Sequence, residues 1–134
     1  MGGDFSIQEI QSSGMAQEQK PLLVGVVGPC AAGKTTLIAN LRASGVVARH
    51  IAQEHSYVAD MWRRITNPDV LIFLDVSYEV TLKRRRLNWT RAEYEEEQRR
   101  LRHARQHADL VIFTDQLTPE QVRDRVLAFI SSRR

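Results

Sequence analysis

The sequence predicts a three-layer α/β domain, in which a mainly parallel sheet of four to five strands carries helices on both faces. Three continuous apolar runs of strand length, at residues 22–27, 70–74 and 110–113, support this prediction. Runs without polar alternation are typical of strands that are buried on both faces, as in parallel sheets. Segments with helical patterning separate the runs, and this alternation of strand and helix is typical of layered α/β folds.

Composition limits the class of protein. The 134 residues fit one domain, and a hydrophobic fraction of 43% excludes a wholly disordered chain. Cys30 is the only cysteine, which excludes a disulfide within the chain. No stretch approaches the roughly 20 apolar residues of a membrane span, and no secretory signal pattern occurs. We therefore expect a cytoplasmic protein without membrane partners, with a flexible arm at residues 1–20 and the domain at residues 21–134.

The first half of the domain contains two predicted strands and two predicted helices. The apolar run predicts a strand at 22–27, and a glycine-containing turn then leads to a helix from Lys34 to Ala43. Residues 46–52 have the pattern of a second, weaker strand. Residues 58–65 can hold one short helix before the chain turns at Pro68.

The second half continues the alternation. Residues 70–76 predict a strong strand, and Ser77 can cap a helix that runs to about Leu87. A capping-box pattern at Thr90 opens a long charged helix that ends near His107. Residues 110–113 predict the last strand, and a second capping box at Thr118 opens the final helix.

Residues 28–35 match the phosphate-binding pattern G-x-x-x-x-G-K-[ST] at every fixed position, and we call them the 28–35 loop. The glycines allow the backbone to point consecutive N–H groups at a phosphate, to which the helix N-terminus adds its dipole. Lys34 can reach the terminal phosphates, and the Thr35 hydroxyl can bind Mg²⁺. The alternatives are a turn without a ligand and a nucleotide-binding loop without catalysis. The predicted nucleotide-binding residues are Gly28, Pro29, Cys30, Ala31, Ala32, Gly33, Lys34, Thr35 and Thr36.

Two further segments accompany the 28–35 loop: a strand followed by a helix at residues 68–85, and a last strand with a closing helix at residues 108–130. With these segments, most of residues 21–130 resembles the P-loop nucleoside and nucleotide kinases. The resemblance implies a P-loop NTPase fold and an ATP-dependent kinase that uses Mg²⁺. It also implies a small-molecule phosphoryl acceptor, either nucleoside- or nucleotide-like or another small metabolite.

The chain departs from these kinases in its acceptor region. The kinases usually carry a longer segment with another buried strand, whereas only residues 53–68 are available here. A nucleotide-binding regulatory protein or a weak ATPase with little phosphoryl transfer is therefore the alternative function. The sequence leaves open whether the chain acts as a monomer or a homodimer.

A kinase of this type needs a carboxylate near the transferred phosphoryl group. Asp75 ends the third predicted strand, and Glu54 follows the second, so both could face the crevice at the carboxyl ends of the strands. The alternatives are a structural Asp75 and a solvated Glu54. We predict Lys34, Glu54 and Asp75 as catalytic residues, and Thr35 and Asp75 as Mg²⁺ ligands.

The segment 83–107 is strongly basic. Residues 83–105 hold nine Lys and Arg against four Glu, a net of +5, so the rest of the 134-residue chain nets −2. We expect a helical lid that stands off the core and supplies Arg84, Arg85 or Arg91 to the phosphoryl group. The alternative is a solvated, self-paired helix. Nucleic acid is disfavoured as a partner because the chain lacks a recognised binding motif.

The middle segment mixes aromatic rings with arginines, the residue types that stack a base or sugar and hold a phosphate or carboxylate. The predicted acceptor-binding residues are His55, Tyr57, Trp62, Arg63 and Arg64. The alternative is a helix that packs Trp62 on the sheet and exposes its arginines. His103 and His107 have metal-binding spacing, but neighbouring arginines oppose a cation there.

Overall fold

Four parallel strands form the centre of the fold in the computed structural model, which describes residues 21–85 and 88–133, at Arg85 for the backbone alone. The strands are β1 (Leu23–Val27), β2 (Val47–His50), β3 (Val70–Asp75) and β4 (Leu110–Phe113). Their order in the sheet is β2-β1-β3-β4, and every neighbouring pair is parallel. The predicted α/β class with a parallel sheet is confirmed. The predicted arm at residues 1–20 lies outside the described residues.

Helices connect the strands. They are α1 (Lys34–Ala43), α2 (Tyr78–Arg85), α3 (Arg91–Arg100), α4 (Arg102–His107) and α5 (Pro119–Arg133), with a 3₁₀ turn at Gln53–His55 and a π turn at Trp62–Thr66. The long helix predicted from Thr90 to His107 is divided at Leu101, where φ is −92° and ψ is −4°. None of the helices in residues 21–85 and 88–133 has the length and apolar content that a membrane span requires.

Helices α1 and α5 cover one face of the sheet. The buried stripe of α1 includes Leu37 and Leu41, and that of α5 includes Val126 and Ile130. These side chains pack in one core cluster with residues such as Ile72 from the sheet. Their spacing of three or four residues places each stripe on one helix face, so burial of this face selects the helix over other conformations.

Helix α4 covers the opposite face. Leu101 and Ala104 are fully buried and pack in a second cluster with Trp62 and with Leu71 and Phe73 of β3. The prediction that the charged segment stands off the core is therefore wrong for its second half. Two apolar residues three positions apart are enough to hold the segment against the sheet, although most of its other residues are polar.

Parallel pairing brings the carboxyl ends of all four strands to the same edge of the sheet. The 28–35 loop follows β1, the 3₁₀ turn follows β2, and residues 114–118 follow β4. Ligands of open α/β sheets bind at this edge because the connecting loops there form a crevice. The fold thus places the sequence motif and Glu54 close together.

Candidate functional site

Close packing requires a glycine at the start of the 28–35 loop. A Cβ atom added to Gly28 would lie 2.2 Å from the carbonyl oxygen of Leu74 on the neighbouring strand, and the φ angle of Gly28 is 155°. Gly33 has a φ angle of 101° and is the N-cap of α1, where no described side chain caps the helix. The backbone N–H groups of the first turn of α1 therefore remain available to an anion.

The Lys34 side chain crosses back over the 28–35 loop. Its Nζ atom donates to the carbonyl oxygens of Gly28, at 2.6 Å, and Pro29, at 2.9 Å. The same atom lies 3.2 Å from Oε2 of Glu54, and both side chains are more than nine-tenths buried. A buried ammonium of this kind is held by charge-assisted hydrogen bonds, and it is already positioned beside the loop backbone.

Glu54 retains an unsatisfied oxygen atom. Its Oε1 atom is buried and has no hydrogen-bond partner among the described residues, whereas Oε2 faces Lys34. The preceding residue fixes this position, because the Gln53 side chain donates to the Val58 carbonyl oxygen and accepts from the Trp62 N–H. A buried carboxylate oxygen without a donor is costly, which indicates that a proton donor or a cation completes the site.

A cleft with a volume of about 550 Å³ opens beside these two residues. The hydroxyl-bearing Thr35 and Thr36 line it from α1, His50 lines it from the end of β2, and His55 lines it from the 3₁₀ turn. Burial, followed by the nearby charge of Lys34, lowers the pKa of His50. His50 is therefore kept neutral near physiological pH, and the cleft contains both hydrogen-bonding side chains and the uncapped end of α1.

Arg84 lies across the 28–35 loop. Its guanidinium donates to the carbonyl oxygen of Ala31, at 3.3 Å, and to Oγ1 and the carbonyl oxygen of Thr114, at 2.8 and 2.5 Å. Arg84 thus ties the loop to the residue after β4. Of the two predicted lid arginines whose side chains the structure describes, Arg84 and Arg91, it is Arg84 that lies at the site.

A smaller, mainly apolar pocket adjoins the cleft. It has a volume of about 220 Å³ and shares Gly33, Thr36 and Arg84 with the cleft. Leu37 and Leu117 are among its apolar walls. This pocket was not predicted from the sequence. The pattern of residues 110–118 indicated only a strand and the cap of the final helix.

Glu97 is a site residue that was not predicted from the sequence. Its Oε1 atom accepts the backbone N–H of Cys30 at 3.0 Å, and its Oε2 atom accepts the Cys30 thiol at 3.1 Å. Glu97 is 7% exposed and lies one turn before Leu101, on the buried stripe that continues to Ala104. This i, i+4 relation to an apolar residue was the signal that could have found it.

The environment of Cys30 opposes thiolate formation. Burial, the hydrogen bond to Glu97 and the charge of Glu97, in that order, raise the pKa of the Cys30 thiol to about 11. The dipole at the N-terminus of a helix would lower this pKa, but burial and the carboxylate next to the thiol outweigh it. Cys30 is therefore a protonated, hydrogen-bonded thiol within the loop.

Asp75 faces a different part of the molecule from Thr35. Its Oδ2 atom lies 2.5 Å from the Arg105 guanidinium, and its Oδ1 atom accepts from the Val76 N–H and the Gln98 amide. Asp75, Gln98 and Arg105 line a second, more open cleft. The structure therefore does not bring together the two predicted Mg²⁺ ligands, and it gives the Asp75 carboxylate structural partners.

The predicted acceptor residues are also dispersed. His55 lines the cleft, but Trp62 packs in the core and donates its ring N–H to His103. Tyr57 is 86% exposed beside the Arg100 guanidinium. Arg63 and Arg64 form ion pairs with Asp60. The alternative, in which Trp62 packs on the sheet and the arginines are exposed, therefore describes these three residues better than an acceptor pocket does.

The two other predicted lid arginines contribute differently. Arg91 pairs with Glu79 and stacks on the Tyr78 ring at 4.8 Å, at the start of α3. Arg85 ends α2, and its side chain lies outside the described part of the structure. Arg91 thus joins α3 to α2 and is not placed on the 28–35 loop.

The site is therefore one cleft bounded by the 28–35 loop, Glu54 and Arg84, with an apolar pocket next to it. The contacts of Lys34, Glu54 and Arg84 determine which groups this cleft offers to a ligand. No protein-family model and no curated protein matches the chain.

Proposed function

We propose that the protein is an ATP-dependent kinase that binds the triphosphate on the 28–35 loop and transfers the γ-phosphoryl group to a small-molecule acceptor. The buried pair of Lys34 and Glu54 carries this proposal, because Oε1 of Glu54 has no partner among the described residues. A cation beside an unsatisfied carboxylate supplies the two groups that phosphoryl transfer to a hydroxyl needs.

The two adjoining cavities fit the two parts of a nucleotide. The phosphates would bind the N–H groups at the uncapped start of α1 and the Lys34 ammonium. The base would enter the apolar pocket between Leu37 and Leu117, where the Arg84 guanidinium lies at the mouth. A single ligand with a flat apolar part and an anionic tail thus satisfies both cavities.

The residues of the cleft also suit Mg²⁺. Mg²⁺ prefers oxygen ligands, keeps several waters and uses few protein side chains. The Thr35 hydroxyl lines the cleft next to the expected phosphates and would hold the ion together with phosphate oxygens. Bound Mg²⁺ would neutralise charge on the β- and γ-phosphates.

The residues of the chain would divide the transfer step between them. The acceptor hydroxyl oxygen forms a bond to the γ-phosphorus while the bond to the β,γ-bridging oxygen breaks, and ADP leaves. The hydroxyl proton passes to Oε1 of Glu54. Lys34 and Arg84 stabilise negative charge on the phosphoryl group and the departing ADP. Arg84 must turn from Thr114 to do so, whereas Lys34 already lies at the loop.

Calorimetry with Mg·ATP tests the binding part of this proposal. We expect Lys34→Ala to weaken ATP binding at least ten-fold and Glu54→Gln to leave binding nearly intact. Lys83→Ala is the matched control, because Lys83 is an exposed lysine on α2. Equal ATP affinity in the Lys34→Ala and Lys83→Ala variants would show that the 28–35 loop does not hold the phosphates.

Phosphorus NMR with a panel of nucleosides, nucleotides and sugars tests the transfer part. We expect a phosphorylated product with one acceptor, and its loss in Glu54→Gln. The reaction should also produce ADP in proportion to the acceptor phosphorylated. ATP that stays unaltered with every acceptor would contradict a kinase.

A nucleotide-binding protein with weak ATPase activity is the second candidate. The dispersal of Trp62, Arg63 and Arg64 favours it, because these residues do not form an acceptor pocket. In this case ADP and inorganic phosphate would form slowly at the same rate with and without acceptors. Phosphorus NMR with and without acceptors separates the two candidates, since only a kinase makes ADP formation depend on the acceptor.

A further inference from the structure

We propose that Cys30, His55 and Glu97 form a Zn²⁺ site at the mouth of the cleft. The three residues come from three separate elements: the 28–35 loop, the 3₁₀ turn and α3. Each offers one ligand atom, and these atoms all lie within 4.8 Å of one another. The proposal concerns a cation held by the protein alone and does not depend on nucleotide binding.

The distances between the ligand atoms require only small adjustments to reach zinc geometry. Oε2 of Glu97 lies 3.1 Å from Sγ of Cys30 and 4.0 Å from Nδ1 of His55. Ligand atoms around a tetrahedral zinc ion stand on the order of 3.5 Å apart, given metal–ligand bonds of roughly 2.0–2.3 Å. The His55 side chain is 61% exposed, so it can turn inward by the remaining distance.

The donor set selects the metal. A thiolate and an imidazole suit Zn²⁺, whereas Mg²⁺ prefers oxygen ligands throughout. Three protein ligands leave the fourth position to water or another small ligand, as in open zinc sites. The Cys30 thiol gives up its proton to solvent when it binds the metal.

Nearby groups support a dication at this point. The Cys30 thiolate, Glu97 and Glu54 carry three negative charges, and Lys34 carries one positive charge. The two negative charges that remain match one Zn²⁺. Oε2 of Glu54 lies 3.7 Å from Nε2 of His55, whereas Nδ1 of the same ring is the nitrogen near Glu97. A carboxylate at the second nitrogen orients a metal-binding histidine and makes it a better ligand.

A bound ion would hold α3 against the 28–35 loop. Glu97 already contacts the Cys30 backbone N–H, and coordination would fix that contact through the metal. The site therefore joins the basic helical segment to the loop by two kinds of interaction. Chelation of the metal should lower the melting temperature of the protein as a consequence.

Cobalt spectroscopy on the reduced full chain tests the proposal. Co²⁺ replaces Zn²⁺ in such sites, and a thiolate ligand gives a charge-transfer band in the near ultraviolet. Because Cys30 is the only cysteine in the 134 residues, this band reports on Cys30 alone. We expect the band with one equivalent of Co²⁺, its loss on adding Zn²⁺, and no effect of Mg²⁺. Absence of the band overturns the proposal.

Variants identify the other two ligands. We expect His55→Asn and Glu97→Gln each to weaken Zn²⁺ binding at least ten-fold in calorimetry, and Glu54→Gln to weaken it by about 10–100-fold. The control for Glu97→Gln is Glu95→Gln, an exposed glutamate on the same helix. The control for His55→Asn is His107→Asn, which breaks the pair of stacked rings His103 and His107.

The exposure of the His55 side chain makes its variant a safe test, because the fold does not depend on that ring. Circular dichroism verifies that every variant is folded. Unchanged Zn²⁺ affinity in His55→Asn or in Glu97→Gln overturns the three-residue site. Loss of binding in His107→Asn also overturns it, because the metal would then sit at the histidine pair on α4.

Discussion

Both oxygens of the Glu97 carboxylate lie against Cys30: Oε1 is 3.0 Å from the Cys30 backbone nitrogen, and Oε2 is 3.1 Å from Sγ. The contact joins residues 67 positions apart in the sequence. Together with burial, it raises the pKa of the one thiol in the chain, and it places a negative group where the 28–35 loop offers a backbone N–H.

This contact predicts the reactivity of Cys30. Burial and Glu97 raise the pKa of the thiol to about 11, so alkylation near neutral pH should be slow. Glu97→Gln removes the negative charge, lowers the pKa and should speed alkylation by iodoacetamide about ten-fold for each pKa unit. Rates in denaturant should be equal for the two proteins and serve as the control. Equal rates in the native proteins would contradict the contact.

The three partners of the Asp75 carboxylate predict a structural effect of its substitution. Asp75→Asn removes the charge that pairs with Arg105 and should lower the free energy of unfolding by about 1–3 kcal/mol. ATP affinity should stay unchanged, because Asp75 faces the second cleft. Urea unfolding and calorimetry measure the two quantities.

Asp124→Asn is the control for this substitution. Asp124 forms an exposed pair with Arg123, and such pairs contribute within about 1 kcal/mol. If Asp75→Asn abolishes ATP binding while the protein stays folded, Asp75 belongs to the nucleotide site after all.

Because Gly28 is closely packed, we expect a single added methyl group to lower the free energy of unfolding strongly. Gly28→Ala would place Cβ 2.2 Å from the Leu74 carbonyl oxygen, so the strand and the loop must separate. We expect destabilisation of about 3 kcal/mol or more. Gly45→Ala is the matched control: its φ angle is 86°, but no atom lies within 4 Å of the added Cβ. Gly45→Ala should lower the free energy of unfolding, measured with urea, by only about 1–2 kcal/mol. A smaller loss for Gly28→Ala than for Gly45→Ala would contradict the close approach.

The docking of α4 predicts that Leu101 stabilises the fold. Leu101 is fully buried against Phe73, so Leu101→Ala should lower the free energy of unfolding by about 2–5 kcal/mol. Gln106→Ala, at an exposed position of α4, should change the free energy of unfolding by less than about 0.5 kcal/mol. An effect of Leu101→Ala no larger than that of Gln106→Ala would mean that the segment stands off the core, as its composition predicted.

Apolar runs and helix caps made the secondary structure predictable. The runs at 70–74 and 110–113 became β3 and β4, and the Thr90 capping box is present at the start of α3. These features depend on contacts between residues near in sequence, so local patterning contains them. The spacing of G-x-x-x-x-G-K-[ST] likewise placed the loop between a strand and a helix.

The roles of single polar residues were harder to predict. Asp75 ends β3 and Glu54 follows β2 at the same edge of the sheet, yet one pairs with Arg105 and the other with Lys34. Trp62 is a residue type that suits an acceptor site, but it packs in the same core cluster as Leu71. Each outcome depends on which distant side chain lies opposite, and spacing along the chain does not contain that information.

The sequence by itself therefore determined the α/β layering and the 28–35 loop, because hydrophobic periodicity and glycine conformation act over a few residues. Only the tertiary structure decided that Glu97 reaches Cys30, that His55 joins them, and that Oε1 of Glu54 is left without a described partner. These relations arise where the 28–35 loop, the 3₁₀ turn and α3 converge at one edge of the sheet. Their physical origin is the packing of Leu101 and Ala104, which fixes α3 and α4 on that face and buries Glu97 with them.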